Sequence, residues 1–340
     1  MSFTDTEKTA RFSIIVPAYN SEHTLAFCLQ ALTGQTLPKE LYEIIVVDDG
    51  SADSTPEIAC RFNVRYISQK NSGPASARNA GVSVAVGDII LFTDSDCVPN
   101  QNWLEKMVKP FSDPNVAGVK GCYRTRQTEL IARFAQMEFE DRYDLLSKSR
   151  YIDMVDTYSA AFRKEVFLEM RGFDTGFPKA NNEDTELSYR LAAHGYRMVF
   201  SPDAVVFHTH PATLSRYLKI KFWRGYWRII VYHRYPFKAV KDSYTPHVLK
   251  IETALTALSF PICLISLCCP GLFLLVLGIW TLVLALSFPF ALKTYTKDRI
   301  VGLISPGIIL LRSGVFAAGS LMGIAQCLIN RGIPSKNSRE

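Results

Sequence analysis

Charge is missing from one long stretch of this chain and one-sided in another. From Ala254 to Leu292 no charged residue occurs, and from 213 to 241 eight Lys or Arg stand with no Asp or Glu. As a helix, the uncharged thirty-nine residues would extend roughly 58 Å, against an apolar bilayer core of about 30 Å. That is too long for one crossing and right for two, with "CCPG" at Cys268–Gly271 as the turn between them. The cationic stretch beside it suits anionic lipid headgroups and argues against nucleic acid. Cysteine is present without pattern. The eight residues show no metal or disulfide spacing, so they read as reduced and mostly buried small hydrophobes. The opening "MSFTDTEKTARF" lacks the apolar core of a signal peptide, so a cytosolic soluble part is expected. No internal repeat or low-complexity tract occurs.

What is present before residue 210 is the mixed polarity of an α/β protein. Apolar runs of about five residues, Phe12–Val16, Glu43–Val47, Val64–Ile67 and Asp88–Phe92, alternate with helical stretches at Thr24–Leu32, after Asp53 and at Ala75–Val86. This alternation predicts parallel pairing within an α/β layer. A helix at Trp103–Phe111, a strand at Val116–Val119, a long charged helix at Glu129–Ser147, a helix at Asn182–His194 capped by Asn181 or Asn182, and a strand at Val205–Phe207 continue the pattern. In such sheets ligands bind beyond the carboxyl ends of the strands. Three of these ends are polar, "PAYN", "DDGS" and "TDSD", and are expected to border one crevice.

The acids at those ends carry the chemistry. Asp48, Asp49 and Asp53 follow the second strand, Asp94 and Asp96 the fourth, and Glu183 and Asp184 open a helix. Singly, each reads as turn or cap chemistry. As a set converging on one crevice, with no cysteine cluster, they suit a hard oxygen-liking cation, Mg²⁺ or Mn²⁺. Such a cation commonly accompanies a diphosphate and neutralises charge building on a leaving group.

The ordered motifs "IIVPAYNSEHTL", "EIIVVDDGSADST", "NSGPASARNAG", "GDIILFTDSD", "GFD" and "NEDTELSYRLAAHGYR" resemble those of the family 2 glycosyltransferases, over about Phe12 to His210. The resemblance implies a GT-A fold, a Rossmann-like, mostly parallel sheet flanked by helices. It also implies an inverting enzyme using a nucleotide-diphosphate sugar. Carried over by position, Pro17, Ala18, Tyr19 and Glu22 border the nucleoside, and Asp49 resembles the acid that hydrogen-bonds the base, with Asp48 as loop support. Arg78 can approach the diphosphate, Asp94 would touch ribose, and Asp96 would ligate the metal, joined by His208. Asp184 resembles the catalytic base, and Glu183 beside it orients the acceptor or caps its helix.

One departure stands out. Processive members carry Gln-x-x-Arg-Trp after the base, whereas this chain has "KIKFWRGYWRII" at Lys219–Ile230. Trp223 and Arg224 could serve the leaving phosphate or the acceptor entrance, or anchor a helix among lipid headgroups. One sugar per acceptor encounter is therefore expected. The expected organisation is a cytosolic catalytic domain at 1–212, a basic aromatic interfacial segment at 213–250 and a membrane region at 251–330. The last comprises spans at about 254–269 and 272–292, then a third span or a re-entrant or interfacial helix at about 300–329. A cytosolic tail at 331–340 follows from the basic residues flanking these segments. Together these imply a multi-pass protein of the inner (cytoplasmic) membrane that passes a hexose, from a UDP-hexose, to a membrane-associated lipophilic acceptor. A polyprenyl-linked saccharide, a glycolipid and a terpenoid or carotenoid all fit. The competing readings are a metal-dependent nucleotidyltransferase or phosphohydrolase, and a catalytically silent membrane scaffold.

Overall fold

The computed structural model describes residues 10–177 and 182–330. In chain order it contains β1 (Phe12–Ala18), α1 (Leu25–Thr33), β2 (Tyr42–Asp48), α2 (Thr55–Ala59), β3 (Arg65–Ser68), α3 (Pro74–Val84) and β4 (Ile89–Phe92). Next come β5 (Val98–Pro99), α4 (Trp103–Val108), β6 (Val116–Arg124), α5 (Leu130–Leu146), β7 (Ala160–Arg163) and α6 (Lys164–Glu169). The chain continues with α7 (Glu183–Ala193), β8 (Arg197–Phe207), α8 (Leu214–Arg234), α9 (Pro236–Val240), α10 (His247–Ser266), α11 (Leu272–Lys297) and α12 (Arg299–Asn330). Among the described residues they fall into two compact units: 10–126 together with 147–177 and 182–209, and 127–146 together with 210–330.

The first unit is built on one mixed sheet of order β3-β2-β1-β4-β7-β6-β8-β5. β1 to β4 pair in parallel; β1, β2 and β4 have the continuous apolar sequence of strands covered on both faces, and β3 is a part-exposed edge strand. Ile14, Ile15, Val16, Ile45, Val46, Val47, Ile90, Leu91 and Phe92 are fully buried. β7 runs antiparallel to both β4 and β6, so the sheet is mixed where alternation alone suggested parallel pairing. The chain leaves β1 toward β2 on one side and returns to β4 on the other. The gap beyond the β1 and β4 carboxyl ends is therefore a switch point, where an open α/β sheet offers its binding crevice.

The second unit gathers α5 with α8 to α12, so α5 belongs with the C-terminal helices and not with the sheet whose sequence surrounds it. Three helices, His247–Ser266, Leu272–Lys297 and Arg299–Ile329, are long and apolar enough to cross a membrane. Two runs expected as spans are thus full helices, with the Cys268–Gly271 turn between them. The interrupted run at 300–329 is one helix whose Arg312 is buried, donating to Glu138 of α5 at 2.8 Å and ion-paired with Glu252 of α10. Glu138 also accepts from Tyr217 at 2.9 Å and Lys221 at 2.7 Å. Burial opposes its ionisation, but Lys221 and Arg312 hold its pKa well below the usual carboxylate range. The basic C-terminal end of α11 meets acids of α5: Lys293 lies 2.6 Å from Asp141, and Lys297 lies 2.6 Å from Glu140. Of the cysteines, Cys28, Cys97 and Cys122 are buried as expected, but Cys60, Cys268 and Cys269 are exposed because they sit at helix ends and turns.

α8 and α12 approach to backbone contact through glycine. A Cβ at Gly319 would overlap the carbonyl of Phe222, and one at Gly225 would overlap that of Phe316. Gly278, in α11, has nothing within 4 Å of such a position. The same substitution is therefore expected to change sign with place. Gly278→Ala should stabilise by about 0.5–1 kcal/mol through helix propensity, and Gly319→Ala should destabilise by about 1–3 kcal/mol through overpacking. Thermal unfolding of the detergent-solubilised protein measures both.

Candidate active site

The switch-point crevice is lined by loops that lock one another. After β1, Asn20 has a left-handed backbone (φ 49), donates from its N–H to Ser51 Oγ at 2.9 Å and accepts at Oδ1 from the Ala52 N–H at 2.9 Å. Glu22 accepts from the Ser54 N–H at 3.2 Å, and its own N–H donates to Asp53 at 3.0 Å. Ser21 Oγ reaches Ser95 Oγ at 2.8 Å, which ties the β1 and β4 loops. Pro17 and Ala18 end β1, with Ala18 buried, and the Tyr19 ring is 53% exposed beside them. That exposed ring at a rigid strand end is the arrangement a stacking platform needs.

The two acids after β2 divide their work. Asp48 accepts from the Ser51 N–H at 2.9 Å and from the Tyr66 hydroxyl at 2.7 Å, which supports the loop. Asp49 accepts from Gln69 Nε2 at 2.6 Å and the Ser72 N–H at 2.8 Å on one oxygen, and from the Gly73 N–H at 2.9 Å on the other. Asp49 thus holds the turn that starts α3, a tie that the sequence pattern did not reveal.

Arg78, in α3, is buried and not on the surface. Its guanidinium donates to Asp94 at 2.8 Å and to Glu183 at 2.9 Å. One cation therefore joins the loop after β4 to the first residue of α7, which Asp184 follows. Asp184 is half-buried and accepts from the Thr185 N–H at 2.6 Å. Burial, then the charges of Glu183 and Asp156, push its pKa up to about 7 against the opposing pull of Arg78. Asp184 is the carboxylate here whose proton affinity suits uptake near neutral pH.

Asp96 and His208 meet at 3.2 Å, the first from the β4 loop and the second just past β8. His208 stacks on Tyr123, and its N–H donates to the Arg124 carbonyl at 3.0 Å, extending the β6–β8 ladder. With Cys97 these residues offer ligand atoms within 4.8 Å of one another. Cys97 is fully buried, and burial followed by the Asp94 and Asp96 charges raises its thiol pKa, so it stays protonated and is a poor ligand. The usable donors are one carboxylate and one imidazole, with Asp96 42% exposed toward the crevice, a set that fits a hard divalent cation. Trp223 and Arg224 lie in α8 of the second unit. Trp223 is 38% exposed and packs edge-on against Phe222 and Tyr226. The alternative cap Asn181 lies outside the described residues, and Asn182 precedes α7 with φ 64.

Sequence reasoning missed Lys120, Asp156 and Tyr158. Lys120 is fully buried in β6, forms an ion pair with Asp156 and donates to the Tyr158 hydroxyl at 2.9 Å. A lysine within the apolar strand "VAGVKGC" was the available signal.

Comparison with known proteins agrees with this geometry. Residues 13–171 match the family described as glycosyl transferase family 2. Glycosyltransferase AglE of Haloferax volcanii is 32% identical over 235 residues, which make up 65% of this chain and 73% of that protein. The pre-mycofactocin glycosyltransferase of Mycobacterium tuberculosis is 27% identical over 63% of this chain, which spans 46% of that relative's length. Among solved structures, the mannosyltransferase PcManGT from Pyrobaculum calidifontis aligns with a TM-score of 0.62 at 22% identity, over 93% of this chain and 87% of that one. The chain belongs to the family 2 glycosyltransferases. Its fold is the GT-A type expected from the motifs, and its class of activity is glycosyl transfer from a nucleotide sugar.

Proposed function

We propose that the protein is a membrane-attached, metal-dependent inverting hexosyltransferase that moves one sugar from a UDP-hexose to a hydroxyl of a lipophilic acceptor. The observation that carries this reading is the Arg78 clamp, which joins Asp94 to Glu183, the residue before Asp184. Tyr19 and the Asp49-held turn receive the nucleoside, and Asp94 meets the ribose. Asp96 and His208 would hold Mg²⁺ or Mn²⁺, which would supply charge neutralisation for the departing diphosphate. The PcManGT structure is a complex with GDP-Man and Mn²⁺, which supports a divalent ion here. Asp184 takes the proton of the acceptor hydroxyl as that oxygen bonds to the anomeric carbon and the bond to the diphosphate breaks. A single displacement of this kind inverts the anomeric centre.

The second unit supports attachment at the inner membrane, with the catalytic domain in the cytosol. α10 and α11 form an apolar hairpin. The end of α11 pairs with acids of α5, and its basic residues support a cytosolic position for that end. α12 shares backbone contact with the cationic α8, whose Arg216 and Lys219 are exposed. Charged residues at mid-bilayer depth are costly, so α12 and α8 fit the interface better than the hydrocarbon. Trp223 and Arg224 then belong to that interface.

In a calorimetric titration with Mn²⁺ present, Asp96→Ala is expected to weaken UDP-glucose binding at least tenfold, and GDP-mannose run in parallel tests the choice of nucleotide. Unchanged affinity would remove Asp96 from the metal site. Radiolabelled sugar must appear in extracted lipid. Release only as free sugar phosphate would favour a phosphohydrolase.

A further inference from the structure

Behind Asp184 lies a charged pair that the reaction as described does not use. Lys120 has no exposed surface, is ion-paired with Asp156, donates to Tyr158 and lies 4.7 Å from the centre of that ring. The segment bearing Asp156 is fixed against α7. The Val155 N–H donates to Ser188 Oγ at 3.0 Å, and that hydroxyl donates to the Asp184 carbonyl at 2.7 Å. Asp156 is thereby held over the first turns of the helix that carries the base.

We propose that Lys120 is a positioning residue for the base, and that its ion pair with Asp156 sets the charge surrounding Asp184 so that this carboxylate is free to accept a proton at neutral pH. This rests on Asp184 being the base. The charged groups facing Asp184 are Glu183 on its own helix, Arg78 from α3, Asp156 from the docked segment and Lys120 from β6. Glu183 is answered by Arg78, and Asp156 is ion-paired with Lys120. The Asp156 charge favours the protonated form of Asp184 through like-charge repulsion, and the Lys120 cation opposes that effect.

The test titrates Asp184 without substrate. Thermal unfolding of the full-length, metal-free protein and of Asp184→Asn is followed from pH 5 to 9, and the difference in Tm against pH reports ionisation of that carboxylate. The same difference is then measured in Asp156→Asn and Asp156→Asn/Lys120→Met backgrounds, the second of which removes both charges and leaves no orphaned ion. The midpoint is expected to fall by about one pH unit with Asp156→Asn and to rise again when Lys120→Met is added. The acid limb of sugar transfer should move with it. A midpoint that stays fixed in both backgrounds overturns the proposal. An Asp184→Asn protein that transfers sugar at the wild-type rate overturns the base assignment instead.

Discussion

Asp184→Asn is expected to reduce glycosyl transfer by on the order of 10²–10⁴-fold while leaving donor affinity within a factor of about two. The substitution is nearly isosteric, and the amide oxygen still accepts from the Thr185 N–H, so α7 keeps its first turn. What is lost is the proton acceptor. A second, opposite effect accompanies the loss. Because burial and the Glu183 and Asp156 charges raise the folded-state pKa to about 7, the native protein holds a proton there that the unfolded chain releases near pH 4. Stability therefore falls as pH rises from about 4 to about 7, and the full penalty remains above that range. Asp184→Asn removes the penalty, about three pH units' worth, so its Tm should exceed that of the wild type by roughly 6–12 °C at pH 8 and match it near pH 4. Turnover and melting curves across pH test both halves. A variant that is dead and also less stable at pH 8 would mean that Asp184 is structural.

Arg78→Met is expected to cost about 3–5 kcal/mol of stability and to eliminate donor binding together. Methionine fills much of the volume, so the loss is electrostatic. Glu183 is buried and ion-paired with Arg78, while Asp94 loses the group that orients it. Arg78→Lys should recover part of the stability but not the geometry. An ammonium cannot address two carboxylates from the fixed fork of a guanidinium. Chemical denaturation followed by intrinsic fluorescence, with donor titration on the folded fraction, separates the two effects. Wild-type stability in Arg78→Met would show that the clamp is not needed to close the crevice.

The sheet and half of the site were legible in the sequence, and the reasons are local. Ile44–Val47 and Ile89–Phe92 announce themselves as buried strands because an unbroken apolar run ends abruptly in acids and turn formers. Asp94, Asp96 and Asp184 stand out at such junctions. β7 did not, since "AAFR" has neither alternation nor β-branched residues, and its antiparallel place depends on β4 and β6. Lys120 and Asp156 were hidden for a different reason. They are separated by 36 residues, and only the fold makes them partners. Arg312 was visible as a break in an apolar run, but that it is answered by Glu138 and Glu252 is a tertiary fact. Arg78 was picked out as a cation near a helix start. That it also faces Glu183 depends on α7, more than a hundred positions downstream.

The path of α5 has a practical bearing on how this enzyme can be divided. The chain leaves the sheet after β6, contributes Phe134, Ala135 and Glu138 to the packing around Tyr217, Val301 and Arg312, and only then returns to lay down β7. A fragment ending at residue 212 would carry that helix stripped of its companions, with an apolar stripe and an unanswered carboxylate turned to water. Soluble expression of the sheet alone therefore calls for excising 127–146 and bridging the gap with a short polar linker, because no single cut separates the two units.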